Sequence, residues 1–313
     1  MFSVVIPVYK NEESIDRLIS ALTDLSTEMS TPLEVVFVVD GSPDRSFELL
    51  KAKISDMPFN AQVLLHSRNF GSFAAIRTGL ASAKGEKFGV MAADLQEPPE
   101  LMITFCDSLM ADECDVVVGT RAERDDPLFS RIASNIFWSL YRKYIVKEMP
   151  VGGVDVFGCN LQFRDQLLKL EESRSSLVAL IFWLGFRRKQ IEYSRQARQE
   201  GKSGWTFRKK FDYMLDSIFA FSDAPIRTLS RIGGVGCLLS IVLMVLVFFA
   251  KFFGGISVPG YAATMLVVLF FGALNIFSLG IVGTYAWRTY ENSKQRPLAV
   301  TSISINNFDG KNV

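Results

Sequence analysis

The sequence predicts an α/β, Rossmann-like body on a mainly parallel sheet, followed by an interfacial helix and a two-helix transmembrane hairpin. Three observations carry this. Short apolar runs alternate with helix-length amphipathic stretches over about the first 120 residues. Residues 232–287, a block of 56, hold one charged side chain, Lys251. Residues 187–231, just before that block, carry 11 basic and 5 acidic groups, whereas residues 1–186 carry 18 and 26. The near balance of 34 Lys+Arg and 33 Asp+Glu in 313 residues therefore joins an acidic body to a basic collar.

The apolar runs are residues 3–8, 34–39, 62–66, 88–92 and 115–119. Each reads as continuous Val, Ile and Leu instead of alternating, the pattern of strands covered on both faces. Between them, residues 12–26, 44–54, 72–83 and 100–110 have helical spacing. In such sheets the ligand sits beyond the carboxyl ends of the strands, which directs attention to the loops after Val8, Val39, His66, Ala92 and Gly119. The chain opens Met1-Phe2-Ser3 without a secretory signal, so the body, residues 1–206, is expected in the cytoplasm.

Residues 207–220 set Arg208, Lys209 and Lys210 beside Phe207, Phe211, Met214, Leu215, Ile218 and Phe219, which suits a helix in the membrane interface within a juxtamembrane region, 207–229. The hairpin occupies 230–288, with spans at about 232–250 and 262–287, each long enough to cross a hydrocarbon core. Arg227 and Arg231 precede it, and Arg288, Lys294 and Arg296 follow, so both ends and the tail, 289–313, belong in the cytoplasm. Gly233, Gly234, Gly236, Gly272, Gly280 and Gly283 permit close helix packing, within one chain or in a homo-oligomer.

Several chemistries are excluded early. Cys106, Cys114, Cys159 and Cys237 lack CxxC spacing, which argues against a zinc site or disulfide framework. The single histidine, His66, ends an apolar run and reads as structural. The body is net acidic and the excess of positive charge lies mainly in the collar, so nucleic-acid binding is not expected; anionic lipid headgroups or phosphate-bearing substrates suit the collar better. Two loops carry more promise. Asp40, in Val39-Asp40-Gly41-Ser42, ends a strand where a carboxylate can meet a ribose or base, although Asp-Gly is also a plain turn. Asp94 and Gln96 lie two apart before Pro98 and Pro99, so extended backbone aims both oxygens one way. Two hard oxygen ligands suit Mg²⁺ or Mn²⁺ bridging to substrate phosphates, while a helix-capping Asp is the plainer alternative.

Val4-Val5-Ile6-Pro7-Val8-Tyr9 with Asn11-Glu12-Glu13, then Asp40-Gly41-Ser42, Ser67-Arg68-Asn69-Phe70-Gly71 and Asp94-Leu95-Gln96-Glu97-Pro98-Pro99, recur in order. Together with the hairpin, this set resembles the polyprenyl-phosphate glycosyltransferases of glycosyltransferase family 2, in particular the bacterial undecaprenyl-phosphate branch. The resemblance implies a GT-A fold, a UDP- or GDP-sugar donor, a divalent metal, and a polyprenyl phosphate acceptor in the bacterial cytoplasmic membrane. It implies that Pro7, Tyr9, Glu12, Asp40 and Arg68 line the nucleotide-sugar pocket, and that Asp94 and Gln96 hold the metal. Asp155, in Gly152-Gly153-Val154-Asp155, matches an acidic residue near the reacting centre. Arg198, Lys202, Ser203 and Trp205 match a segment that closes over the donor diphosphate. Two departures stand out: Ala92 and Val39 replace acidic residues frequent in the family. Transfer to a glycan or protein acceptor, and an inactive nucleotide-sugar-binding partner of a polysaccharide assembly complex, are the alternative functions.

Overall fold

The five apolar runs form strands within two residues of their expected bounds: β1 Phe2–Val8, β2 Leu33–Val39, β3 Asn60–His66, β4 Lys87–Val90 and β5 Val116–Arg121. The helices between them are α1 Ile15–Glu28, α2 Ser46–Lys53, α3 Ser72–Ser82 and α4 Leu101–Met110. The computed structural model describes residues 1–121, 139, 141–142, 146–150, 153–172, 175–195, 207–252 and 260–308.

Neighbouring side chains on a strand point to opposite faces, and both faces are filled. Val4, Ile6, Val35, Phe37 and Val39 pack with Leu18 and Leu22 of α1 and with Met102 and Phe105 of α4. Val5, Val36 and Val38 pack with Ala75 and Leu80 of α3, and with Phe163 and Ile181 of two later helices, α5 Leu161–Leu168 and α6 Leu177–Trp183.

Among the described residues the sheet is mixed: four of its seven strand pairings are parallel, in keeping with the mainly parallel sheet expected, and three are antiparallel. It gains β6 Val156–Asn160, β7 Arg188–Tyr193 and β8 Thr301–Asn306, in the order β7-β5-β6-β4-β1-β2-β3-β8. β6 runs antiparallel to both β4 and β5, while β7 is parallel to β5. Because β6 is reversed, its first residues share an end of the sheet with the last residues of β4, β5 and β7. Asp155 thereby reaches the edge formed by the carboxyl ends of those strands.

The residues after the body form α7 Phe207–Phe221, α8 Ala224–Phe252 and α9 Tyr261–Ser293. Among the described residues, one stretch is long and apolar enough to cross a membrane, Phe270–Ser293, and none of its apolar window is buried. Gly236 of α8 faces Phe271 of α9, where an added Cβ would sit 3.5 Å from the ring. The foot of α9 docks on α7: Tyr285 Oη donates to the Ser222 carbonyl at 3.3 Å, Phe219 packs edge-on to Tyr285, and Arg288 pairs with Asp216. Lys294 lies over the Tyr290 ring at 4.2 Å and near Trp287, an amphipathic group suited to a headgroup layer.

The C-terminal tail returns to the body. β8 pairs antiparallel with β3, Ile305 enters the core, and Asn307 fastens the end. Its Nδ2 donates to the carbonyls of Ile54 and Phe59 at 3.1 Å, and its Oδ1 accepts from the Ala61 N–H at 2.8 Å.

Candidate active site

The loops after β1 and β2 are joined by short polar links. The Lys10 N–H donates to Ser42 Oγ at 2.8 Å, the Glu12 N–H to Asp44 Oδ2 at 3.0 Å, and the Arg45 N–H to Glu12 Oε2 at 3.0 Å. Asp44 also accepts from the hydroxyls of Ser42 and Ser46; burial would raise its pKa, but these hydrogen bonds outweigh that and leave it lowered. Pro7 and Tyr9 flank the same edge, and Tyr9 is 44% exposed, open to stacking. Glu12 thus holds the two loops together, with its carboxylate on Arg45 backbone.

Asp40 faces inward. Its Oδ1 lies 2.9 Å from His66 Nδ1 and accepts from the Phe70 N–H at 2.8 Å, and its Oδ2 accepts from the Gly71 N–H at 2.7 Å. Burial pushes its pKa up, yet His66 and the two N–H groups pull harder, so the carboxyl stays below its ordinary range. The other ring nitrogen of His66 meets Thr78 Oγ1 of α3 at 3.0 Å. Asp40 therefore fixes the wall that carries Arg68, whose guanidinium lies 4.0 Å over the Phe70 ring. Gly41, at φ +57°, lets the two loops touch: an added Cβ would lie 2.3 Å from the Arg68 carbonyl carbon.

Across the cleft the β4–α4 loop presents Asp94, Gln96 and Glu97. It is tied to the first side by the Ser14 hydroxyl, which donates to the Ala93 carbonyl at 3.2 Å. Leu95, at φ 52°, turns the chain between Asp94 and Gln96. The extended alternation expected for that pair is therefore replaced by a left-handed kink. Gln96 Oε1 accepts from Arg195 Nη2 at 2.5 Å. Glu97 is 2% exposed, with Arg195 Nε 3.7 Å from its Oε1. Burial pushes its pKa up to about 7; Arg195 opposes the rise, and the charges of Asp94 and Asp155 add to it. Asp155 is gripped by Arg121, whose Nη2 donates to Oδ1 at 2.8 Å and whose Nε donates to Oδ2. The Tyr193 hydroxyl donates to Oδ2 at 2.9 Å, and burial followed by the nearby carboxylates raises the Tyr193 pKa.

Asp94, Gln96 and Asp155 are thus brought to one place, with Pro7, Tyr9, Glu12, Asp40 and Arg68 along the neighbouring strand ends. Arg198, Lys202, Ser203 and Trp205 lie outside the described residues. Glu97, Arg121, Tyr193 and Arg195 were not singled out from the sequence. Arg121 lies two positions past an apolar run, and that placement was a usable signal; Tyr193 and Arg195, on and just after β7, had none. No group of three or more His, Cys, Asp or Glu side chains poised for a metal occurs among the described residues. A metal here would rest on Asp94 and Gln96 with waters and phosphate oxygens, a sparse oxygen set that Mg²⁺ and Mn²⁺ accept.

Carboxylates and arginines gathered at the strand ends of a mixed α/β sheet fit a GT-A-like fold. Residues 3–170 match the model for glycosyl transferase family 2, and the chain belongs to that family. An uncharacterized glycosyltransferase of Synechocystis is 30% identical over 96% of this chain and 94% of its own length. The undecaprenyl-phosphate 4-deoxy-4-formamido-L-arabinose transferase of Pectobacterium atrosepticum is 33% identical over 94% of this chain and 90% of its own. A crystal structure of a mycobacterial protein shares the fold, with a TM-score of 0.50 at 16% identity over 72% of this chain and 76% of that one.

Proposed function

We propose that the protein moves a sugar from a UDP- or GDP-sugar to a polyprenyl phosphate, undecaprenyl phosphate in particular, with inversion at the anomeric carbon. The product would be a lipid-linked sugar for cell-surface glycans. One observation carries the reading: likeness to the undecaprenyl-phosphate transferase extends over 94% of the chain, from the cleft through the exposed apolar helix. A soluble acceptor would give that helix no role.

The acceptor sets the chemistry. A phosphate monoester has its second pKa near about 6, so at neutral pH the lipid phosphate is already a dianionic nucleophile. Breaking the anomeric bond is then the harder part, and stabilising the departing nucleoside diphosphate dominates. Asp94 and Gln96 would hold Mg²⁺ or Mn²⁺, which when bound supplies charge neutralisation to the leaving diphosphate. Arg198 and Lys202 would add positive charge there, with Ser203 and Trp205 closing on the donor. Pro7, Tyr9, Glu12 and Arg68 would line the nucleotide pocket, and Asp40 would shape it through the Phe70–Gly71 backbone. Asp155 is already engaged by three donors, so abstracting a proton would disrupt them. It fits better as an oriented negative charge facing the sugar or placing the acceptor.

Connectivity supports the membrane arrangement. The chain leaves the body through α7, and β8 pairs with that same body after α9. Both ends of the α8–α9 unit are therefore on one side, and any number of crossings between them is even. If Phe270–Ser293 crosses, α8 crosses too. This supports a multi-pass hairpin in the bacterial cytoplasmic membrane, with the catalytic domain and both termini in the cytoplasm.

The test incubates the full-length protein in vesicles with Mg²⁺, undecaprenyl phosphate and a panel of radiolabelled nucleotide sugars. Label should enter the organic phase, and Asp94→Ala should lower that rate at least about a hundredfold. Label appearing only in polymer or protein, or transfer that survives Asp94→Ala, would overturn the reading.

A further inference from the structure

Arg195 follows the end of β7 and reaches the β4–α4 loop. Its Nη2 holds Gln96 Oε1 at 2.5 Å, the oxygen that the metal would need. Two atoms beside that contact are buried without a hydrogen-bond partner: Arg195 Nε and Glu97 Oε2. The Glu97 side chain is 3% exposed, with its Oε1 3.7 Å from the same Nε. A buried carboxylate with one oxygen unsatisfied is costly, and a guanidinium is shaped to span both oxygens of a carboxylate. The Arg195 guanidinium therefore stands between two seats. It occupies Gln96, and its unused Nε is less than about one ångström short of a normal hydrogen bond to Glu97.

A divalent ion binds oxygen at about 2.0–2.1 Å, and it cannot share one amide oxygen with a guanidinium without strong repulsion. We propose that Arg195 is a two-position cation whose place on Gln96 excludes free metal, and that it shifts to Glu97 when metal enters with the donor. This rests on the metal reading of Asp94 and Gln96 given above. A metal arriving alone meets a fixed positive charge. A metal arriving on the nucleotide sugar brings the negative diphosphate that offsets this charge, so metal and donor load together. Arg195 is thus a positioning residue that sets the order of loading, and Glu97 is its second seat.

The test measures Mn²⁺ binding by electron paramagnetic resonance on the full-length protein in nanodiscs, first without nucleotide and then with UDP or GDP. Wild type should bind free Mn²⁺ weakly and gain affinity with the matching nucleotide. Arg195→Gln should bind free Mn²⁺ about tenfold more tightly than wild type, the scale expected for removing one adjacent positive charge. Arg195→Lys keeps the charge and should stay near wild type, which separates charge from damage to the fold. Free Mn²⁺ affinity in Arg195→Gln equal to or below wild type, with Asp94→Ala abolishing binding, overturns the Arg195 proposal and leaves the metal site standing. Binding that survives Asp94→Ala overturns the metal site itself, and the proposal with it.

Discussion

The Asp40 carboxylate takes its hydrogen bonds from a ring and two backbone amides that lie 26 to 31 positions further along the chain. Such a group is worth more charged than neutral, so its effect on stability has a definite pH dependence. The folded-state pKa is depressed below 3.8; the contribution is therefore full above that pH and fades as pH falls through the folded value. Asp40→Asn should cost about 3 kcal/mol near neutrality. In denaturant titrations the gap to wild type should hold down to about pH 4 and close below it; a gap that widens in acid would refute this account. The position of Asp40 was legible in the sequence, as the residue ending an apolar strand before glycine. Its inward orientation was not, because that depends on His66, a residue read only as structural. Glu97, Arg121, Tyr193 and Arg195 show the same limit. Their significance lies in contacts between separate strands, and Arg195 meets Gln96 across 99 positions.

At the level of elements, the loops after β2 and β3 approach closely because Gly41 has no side chain. Its backbone at φ +57° is tolerable for alanine at modest cost, but the 2.3 Å approach to Arg68 backbone is not. Gly41→Ala should destabilise the protein by about 3 kcal/mol and weaken donor binding, measured by chemical denaturation and by nucleotide titration. Unchanged stability would mean that the 66–71 loop yields freely. The same scale explains which strands the sequence disclosed. β1 to β5 are covered on both faces and read as unbroken apolar runs. β7, Arg-Lys-Gln-Ile-Glu-Tyr, and β8, Thr-Ser-Ile-Ser-Ile-Asn, are edge strands with polar residues at alternate or successive positions, a composition that protects an edge and hides it from an apolar-run criterion. β6 is central but has only five residues, and its antiparallel direction depends on pairing with strands already in place.

For the whole molecule, the path from the body through α8 and α9 and back to β8 gives the proposed hairpin a definite expectation for which segments meet which aqueous phase. Ser257→Cys, between the two long helices, should react with a membrane-impermeant maleimide in intact cells. Ser302→Cys, on β8, should react only after permeabilisation, with the unsubstituted protein as control for Cys237. Equal labelling of both in intact cells would contradict the hairpin. The split between acidic body and basic collar was visible from charge counting alone, because composition does not depend on tertiary structure. The return of the tail was not, since pairing between residues 62–66 and 301–306 leaves no local mark. That return also imposes an order on biosynthesis. During translation the outer edge of β3 stays unpaired while more than two hundred further residues emerge, including all of α8 and α9. The sheet is completed only when residues 301–306 leave the ribosome. A chain halted before residues 301–306 emerge thus displays an open strand edge prone to pairing with other chains, so an interruption within the long C-terminal helices would become visible as aggregation of the body.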